Sequence, residues 1–377
     1  MRLKTVVKLG TVVSVLLFCL AVGYYAFMRL GFAERNRSAN LFSLVPSTCL
    51  AVLESGHMDA FLHEYPNYNY GPELERFQFP GLFNFLVNGM NEYVAHGRSS
   101  RMNQLLVSFH EPATSRDQVL YFQVETEGEQ VLGDMLHEYL PSNFYPKEEE
   151  YRGEVIRIYP LSSDEFLSAY IDNGFVVLSY QKRLIEAVID AMLDQESLGD
   201  DPLFTRILER KKSSAVLTLY GHAPSLPFLK TESDCWSEYE FHLNSDVAYL
   251  TGNTFVAEET DGFDKERMLL DKVPVVNEEG VMVSSDRDST SLYINQVLET
   301  AGEHTLFHGC IANLSNEASF SLVADMQKVE ENPASFQDFL PSFLLNNAGL
   351  FRSFILSVQL SLNGTHPSHL WVFTYKY

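Results

Sequence analysis

The run from Leu9 to Met28, LGTVVSVLLFCLAVGYYAFM, limits what this chain can become more than any other stretch, because its twenty residues include no acidic or basic side chain. At about 1.5 Å of rise per residue, a helix of that length spans about 30 Å, the thickness of a bilayer's hydrocarbon core. Arg2, Lys4 and Lys8 precede it, and no acidic residue lies before Glu34. This distribution predicts a signal anchor: residues 1–8 in the cytoplasm, 9–30 across the membrane, and a polar linker over 31–40. Its far end carries Tyr24, Tyr25 and Phe27, which suit a membrane–water interface, and lacks the small residues that signal peptidase needs, so the anchor is expected to stay uncleaved. Cys19 follows the bulky Phe18, which argues against lipoprotein processing and for a plain thiol in an apolar helix.

The whole chain has 50 Asp and Glu against 27 Lys and Arg, a net charge of −23, and three of those basic residues precede the anchor, so the part beyond it is more acidic still. Such a surface repels phosphate backbones, which excludes nucleic acid as a partner and directs the domain away from anionic headgroups. Disorder is not expected, since 46% of residues are apolar and 13% aromatic. That is material for one large or two ordinary domains. Cys49, Cys235 and Cys310 are widely spaced and odd in number, so at most one bridge is expected among them.

Apolar periodicity predicts strands over 49–54, 104–110, 118–125, 154–159, 167–171, 174–180, 214–220 and 280–284, with a hairpin from 238–243 to 247–257. Two antiparallel pairs close the chain, 305–313 with 318–327 and 351–362 with 370–377, the second joined at Asn363-Gly364. Helices are expected over 58–65, 81–95, 129–140, 182–193, 203–211, 265–270 and 291–300, the strongest being 182–193 with Leu184, Ile185, Val188, Ile189 and Met192 on one face. The mixture lacks regular βαβ alternation. It predicts an α+β fold: an N-terminal transmembrane helix, then largely antiparallel sheets with packed helices. Residues 49–62 (CLAVLESGHMDAFL) resemble 215–229 (AVLTLYGHAPSLPFL), a sign of two related halves, 41–212 and 213–377.

The order of features FSLVPSTCLAVLE, GFVVLSYQKRLIEAVIDAM, LGDDPLFTRIL and SSAVLTLYG, followed by the pair CWSEYEFHL and YLTGNTFVA, resembles a bacterial family catalogued as domain of unknown function 3352. The likeness runs over most of residues 41–377 through apolar patterns and turns. It implies an envelope protein with no assigned activity and no catalytic residues to carry over, and the orientation of the anchor places the domain, as an expectation, on the extracytoplasmic side of a bacterial inner membrane.

No nucleophile elbow, Walker loop, dinucleotide fingerprint or H-E-x-x-H motif is present, so no cofactor is expected. The most suggestive constellation is His304, His308 and Cys310 in HTLFHGC. On an extended strand these three would share one face and offer imidazole and thiolate to a metal, though a structural zinc site needs four ligands. His366 and His369 fall in a predicted turn, and His57 and His222 share the Gly-His position of the repeat. Asp286 and Asp288 begin like a calcium loop, but Ser291 and Val297 break the pattern. Glu148 to Glu150 and Glu258-Glu259 read as solvated faces. Asn36, Asn313 and Asn363 begin glycosylation sequons. The sequence therefore favours a single-pass envelope protein that binds or scaffolds an envelope partner. The alternative is an anchored hydrolase or metal-dependent enzyme whose site is assembled from distant residues.

Overall fold

A computed structural model describes residues 40–56, 69, 105–112, 114, 116–123, 146–161, 165–172, 174–211, 215–229, 233–257, 276–278, 280–299, 305–362 and 366–377. The anchor, the linker up to residue 39 and the helices expected over 58–65, 81–95, 129–140 and 265–270 lie outside the described residues. Among the described residues no helix is long and apolar enough to cross a membrane.

The strands are β1 (Ala51–Ser55), β2 (Leu105–Phe109), β3 (Gln118–Gln123), β4 (Lys147–Tyr151), β5 (Glu154–Pro160), β6 (Phe166–Asp172), β7 (Phe175–Ser179), β8 (Leu217–Gly221), β9 (Cys235–Leu243), β10 (Val247–Val256), β11 (Val276–Glu278), β12 (Val281–Ser284), β13 (Phe320–Asp325), β14 (Phe354–Ser361) and β15 (Ser368–Tyr375). All join one antiparallel sheet, ordered β11-β12-β13-β14-β15-β10-β9-β8-β1-β2-β3-β7-β6-β5-β4. Among the described residues six α-helices pack on it: α1 (Lys182–Asp194), α2 (Pro202–Arg210), α3 (Arg287–Glu299), α4 (Leu306–Ala312), α5 (Met326–Glu331) and α6 (Ser342–Asn346). The fold is α+β. From its centre the sheet reads β1-β2-β3-β7-β6-β5-β4 in one direction and β8-β9-β10-β15-β14-β13-β12 in the other, with β11 beyond. The two runs meet where β1 pairs with β8, Val52 opposite Tyr220 and Glu54 opposite Thr218.

Alternation along each strand gives the sheet two faces. On the front face α1, α2 and the turn Leu41–Leu44 bury Val52, Leu106, Tyr121, Val177, Tyr220 and Trp236, and farther along α3 and α4 cover Met282, Val323 and Ile355. On the back face Phe241 opposite Leu250 joins a core around Leu105, Leu120 and Leu178 to one around Leu322, Leu356 and Trp371. Helix α1 inserts Leu184, Ile185, Val188 and Ile189 and ends at Gln195, whose positive φ of 58° places it in the left-handed region. Helix α2 starts where Asp201 accepts hydrogen bonds from Leu203 N and Phe204 N at 2.7 and 3.1 Å and Pro202 presets the first turn.

Several stretches differ from the sequence expectation, and three of them are decided by polar groups. Residues 305–313 are helix, not strand: Thr305 caps α4 by accepting from His308 N, and Cys310, Ile311 and Leu314 fall at helical spacing into the core. Residues 326–331 turn into α5 because Asp325 caps Gln327 N at 2.9 Å. The acidic run Glu148 to Glu150 belongs to β4, which closes on β5 through Arg152 and Gly153, both at positive φ, as a two-residue hairpin turn requires. Its charges suit an outermost strand, and Lys182 holds Glu149 at 2.6 Å.

Where β9 meets β10, Gly252 is indispensable. A Cβ there would lie 1.7 Å from the Glu238 carbonyl oxygen and 2.9 Å from His369 Nε2, whereas one on Gly309 in α4 meets nothing within 4 Å. Gly252→Ala is therefore expected to destabilise the protein by about 3 kcal/mol. Gly309→Ala should stabilise it by about 0.5–1 kcal/mol through helix propensity. Denaturant midpoints of the full chain in detergent micelles check both, and a loss at Gly309 would contradict the helical assignment.

Candidate functional site

The helical form of residues 306–312 decides the first candidate. His308 and Cys310, two positions apart, are separated by about 200° around the helix axis rather than sharing a face. His308 bonds Thr305 Oγ1 through Nδ1 at 3.0 Å, and buried Cys310 contacts Thr374 Oγ1 at 3.8 Å, with desolvation raising its thiol pKa. His304 lies outside the described residues. Among the described residues no group of three or more His, Cys, Asp or Glu is arranged to hold a metal ion. Cys49, Cys235 and Cys310 are free and buried, and desolvation pushes the Cys49 and Cys235 thiols up to about 12 and about 11.

The other histidines are structural to differing degrees. His369, expected in a turn, is buried in β15 and donates through Nε2 to the Glu238 carbonyl at 2.9 Å. His366 accepts from Arg210 Nη1 at 2.5 Å and packs on Phe255. His222 pairs with Asp234 and stacks on Trp236 with ring centroids 4.5 Å apart. Asp286 accepts from Ser289 N at 2.7 Å and from Ser289 Oγ, the work of a helix cap, and Asp288 sits in the first turn of α3. Asn313 closes α4. Residues 19, 36, 57, 258, 259 and 363 lie outside the described residues.

One nucleophile-like arrangement was not visible in the sequence. Ser108 Oγ lies 2.7 Å from His110 Nε2 and 3.0 Å from Tyr121 Oη. Desolvation, then the charge of Arg183, pushes His110 down to about 4, so its imidazole is neutral at physiological pH. A neutral imidazole on a serine is the beginning of acyl-transfer chemistry. Here, however, Ser108 and Tyr121 are wholly buried beneath α1, and His110 is 5% exposed. The arrangement satisfies buried polar atoms, each by the other.

The front face between the two helical covers is different. Register places Glu54, Thr218, Glu240, Thr251, Leu370, Gln359, Ser321 and Ser284 in one row across eight strands, all but Leu370 polar. At β9 and β10 this row is half-exposed, and Tyr249 lies beside it, stacked on His242 with centroids 4.7 Å apart. At the edge of the α2 cover sits a charged centre. Lys211 Nζ reaches Glu54 Oε2 at 2.6 Å, and the Tyr220 hydroxyl donates to the same oxygen at 3.0 Å. Glu238, opposite Tyr220, is 8% exposed, and its Oε1 meets no hydrogen-bond donor. Desolvation, reinforced by Glu240 and Glu54 and opposed by Lys211, pushes the Glu238 carboxyl up to about 7. Thr218 is also buried, and its hydroxyl has no partner. Alternation marks every second residue of β9 for this face, but the sequence gives no sign of which acid is buried. A separate open cleft of about 590 Å³ is lined by Asp200, Asp201, Asp234 and Arg206.

No family model and no curated protein matches the chain. A solved structure described as "Structure of crystal form I of TP0453" is similar over 56% of this chain and 78% of its own, at 10% identity and a TM-score of 0.30.

The carboxyl of Glu238 makes stability depend on pH in a definite direction. Its native pKa exceeds the ordinary 4.5, so between about pH 4.5 and 7 the folded state binds more protons than the unfolded chain, and its contribution declines as pH rises. His110 and His369, both lowered to about 4, act oppositely: their contribution is lost as pH falls from 6.5 towards 4. In Glu238→Gln the first component vanishes and the second persists. The stability of the variant relative to wild type should grow by about 3 kcal/mol from pH 4.5 to 7 and stay level above. Denaturant unfolding at stepped pH checks this, and a difference flat across the range would refute the raised carboxyl.

Proposed function

We propose that this chain is a single-pass envelope protein, anchored through residues 9–30, whose extracytoplasmic α+β domain binds an envelope partner without catalysing a reaction. The observation that carries the reading is the contrast on the front face. Groups with catalytic character, Ser108 and His110, are buried under α1, while the polar row over β9 and β10 is half-exposed between helical covers. A half-exposed row of carboxylate, hydroxyl and amide groups beside an aromatic ring is suited to recognition. The same reading extends the resemblance to domain of unknown function 3352 from sequence pattern to an inner-membrane location. We also infer that residues 41–212 and 213–377 descend from one duplicated unit, supported by the matching strand orders outward from β1 and β8.

Two measurements on intact cells test the proposal. Alkaline extraction should leave the full chain in the membrane and release a chain lacking residues 1–30, and added protease should reach the domain only from the extracytoplasmic side. A photo-cross-linking residue at Thr251 should capture a reproducible partner, and one at Glu331 on α5 should not. Adducts equal at both positions, or absent at Thr251, would remove the front face as the binding face.

A further inference from the structure

The charged centre at β8 and β9 contains more acceptors than the chain itself satisfies. Three carboxylates, Glu54, Glu238 and Glu240, couple electrostatically with the Tyr220 phenol, yet Lys211 is committed to Glu54. Two further atoms are sealed from solvent without any partner: Glu238 Oε1, in a residue 8% exposed, and Thr218 Oγ1, in a residue 1% exposed. A polar atom buried in this way costs about 1–3 kcal/mol, so two of them in one place are unusual unless something else completes them. Register brings them together: Glu240 stands directly opposite Thr218, and Glu238 opposite the adjacent Tyr220, one diagonal away. Cross-strand neighbours are about 5 Å apart and diagonal ones about 7–8 Å, so the three residues are neighbours on the front face, Glu240 being its partly exposed member.

We propose that Glu238, Glu240 and Thr218 form a binding site for a primary ammonium group. An ammonium carries three donors and no acceptor, which complements two carboxylates and a hydroxyl lone pair. Its charge offsets the excess left after Lys211 neutralises Glu54. A metal ion fits less well, because no three metal-ligating side chains among the described residues are arranged around a common point. The inference rests on reading the front face as the binding face and gives that face its ligand chemistry. Glu238, facing Glu54, Glu240 and Lys211, is partly protonated near neutrality, so arrival of a cation displaces a proton.

The test is calorimetric titration of the full chain in detergent micelles at pH 8 and moderate salt, with 1,5-diaminopentane and with Nα-acetyl-lysine amide as probes. One equivalent of at least one probe should bind saturably. Glu238→Gln and Glu240→Gln should each weaken binding tenfold or more, while Glu299→Gln, on exposed α3, leaves it unchanged. Repeating the titration at pH 7 in buffers of different ionisation enthalpy should show proton release that Glu238→Gln abolishes. Binding of the diamine alone would identify a free amine, and of the lysine amide alone a protein-borne lysine; either supports the site. The proposal fails if Glu238→Gln, shown to be folded by circular dichroism, binds as tightly as wild type. It fails equally if all variants lose binding together as salt rises, the mark of diffuse attraction to a chain of charge −23. Failure with Thr251 adducts intact removes the amine site and leaves the binding face; loss of both removes the face itself.

Discussion

Everything in this fold hangs on the pairing of β1 with β8. These five-residue strands are the seam between two runs of strands, and each hydrogen-bonds outward to a hairpin-rich series of its own. An antiparallel sheet of fifteen strands has to twist strongly, and a slip of one residue at the seam would send every side chain beyond it to the wrong face. The register is pinned from the front by an aromatic cluster that draws on both sides of the seam. Phe42 and Phe204 lie 5.2 Å apart, Phe204 and Tyr220 5.2 Å, and Phe204 and Trp236 5.0 Å. Helix α2 is thus a clamp: Asp201 and Pro202 start it at the position that drops Phe204 between the ring of β8 and the ring of β9.

That clamp also explains where the front face is closed and where it is open. Helices α1 and α2 cover β1 to β3 and the near ends of β8 and β9, and α3 and α4 cover β12 to β14. Between these two described helix pairs, a strip over β9, β10 and β15 carries half-exposed residues. Under α1 and α2 the inward positions are mainly Val, Leu, Ile and aromatic, with Ser108 and His110 satisfying each other. In the strip the polar Glu240, Thr251 and Asn253 stand beside Tyr249, Leu370 and Val372.

Much of this architecture was legible in the sequence. The strands over 105–109, 118–123, 175–179 and 354–361 carry dense β-branched and aromatic runs, and α1 shows its apolar stripe plainly. Elements decided by one or two polar atoms were harder to see. In 305–313 the apolar residues satisfy both a period of two and a period of 3.6, and the Thr305 cap settles the matter for helix. Strand β4 has no apolar signal, since Lys147 to Glu150 face outward at the rim, and it exists because the Arg152-Gly153 turn folds it onto β5. The candidate site was the least legible part. His304, His308 and Cys310 attracted notice by residue type, yet the centre at Glu54, Thr218, Glu238 and Glu240 joins residues up to 186 positions apart, and only strand pairing makes them neighbours.

The position of Glu238 is fixed by constraints that have nothing to do with its carboxyl. Its carbonyl accepts from His369 and presses against Gly252, which has no side chain to obstruct it, so the backbone here is held by three strands at once. Its side chain is committed by alternation to the front face, beside Tyr220 and between two other acids. An apolar residue would satisfy the same backbone geometry without leaving a buried oxygen lacking a donor. A carboxylate kept at a place where packing alone would favour Leu or Val is an expense in stability that a ligand can offset, since whatever binds only the folded state stabilises it. That is the physical reason to look for the ligand at this carboxyl rather than among the many acids spread over the surface, whose charges are solvated at little cost.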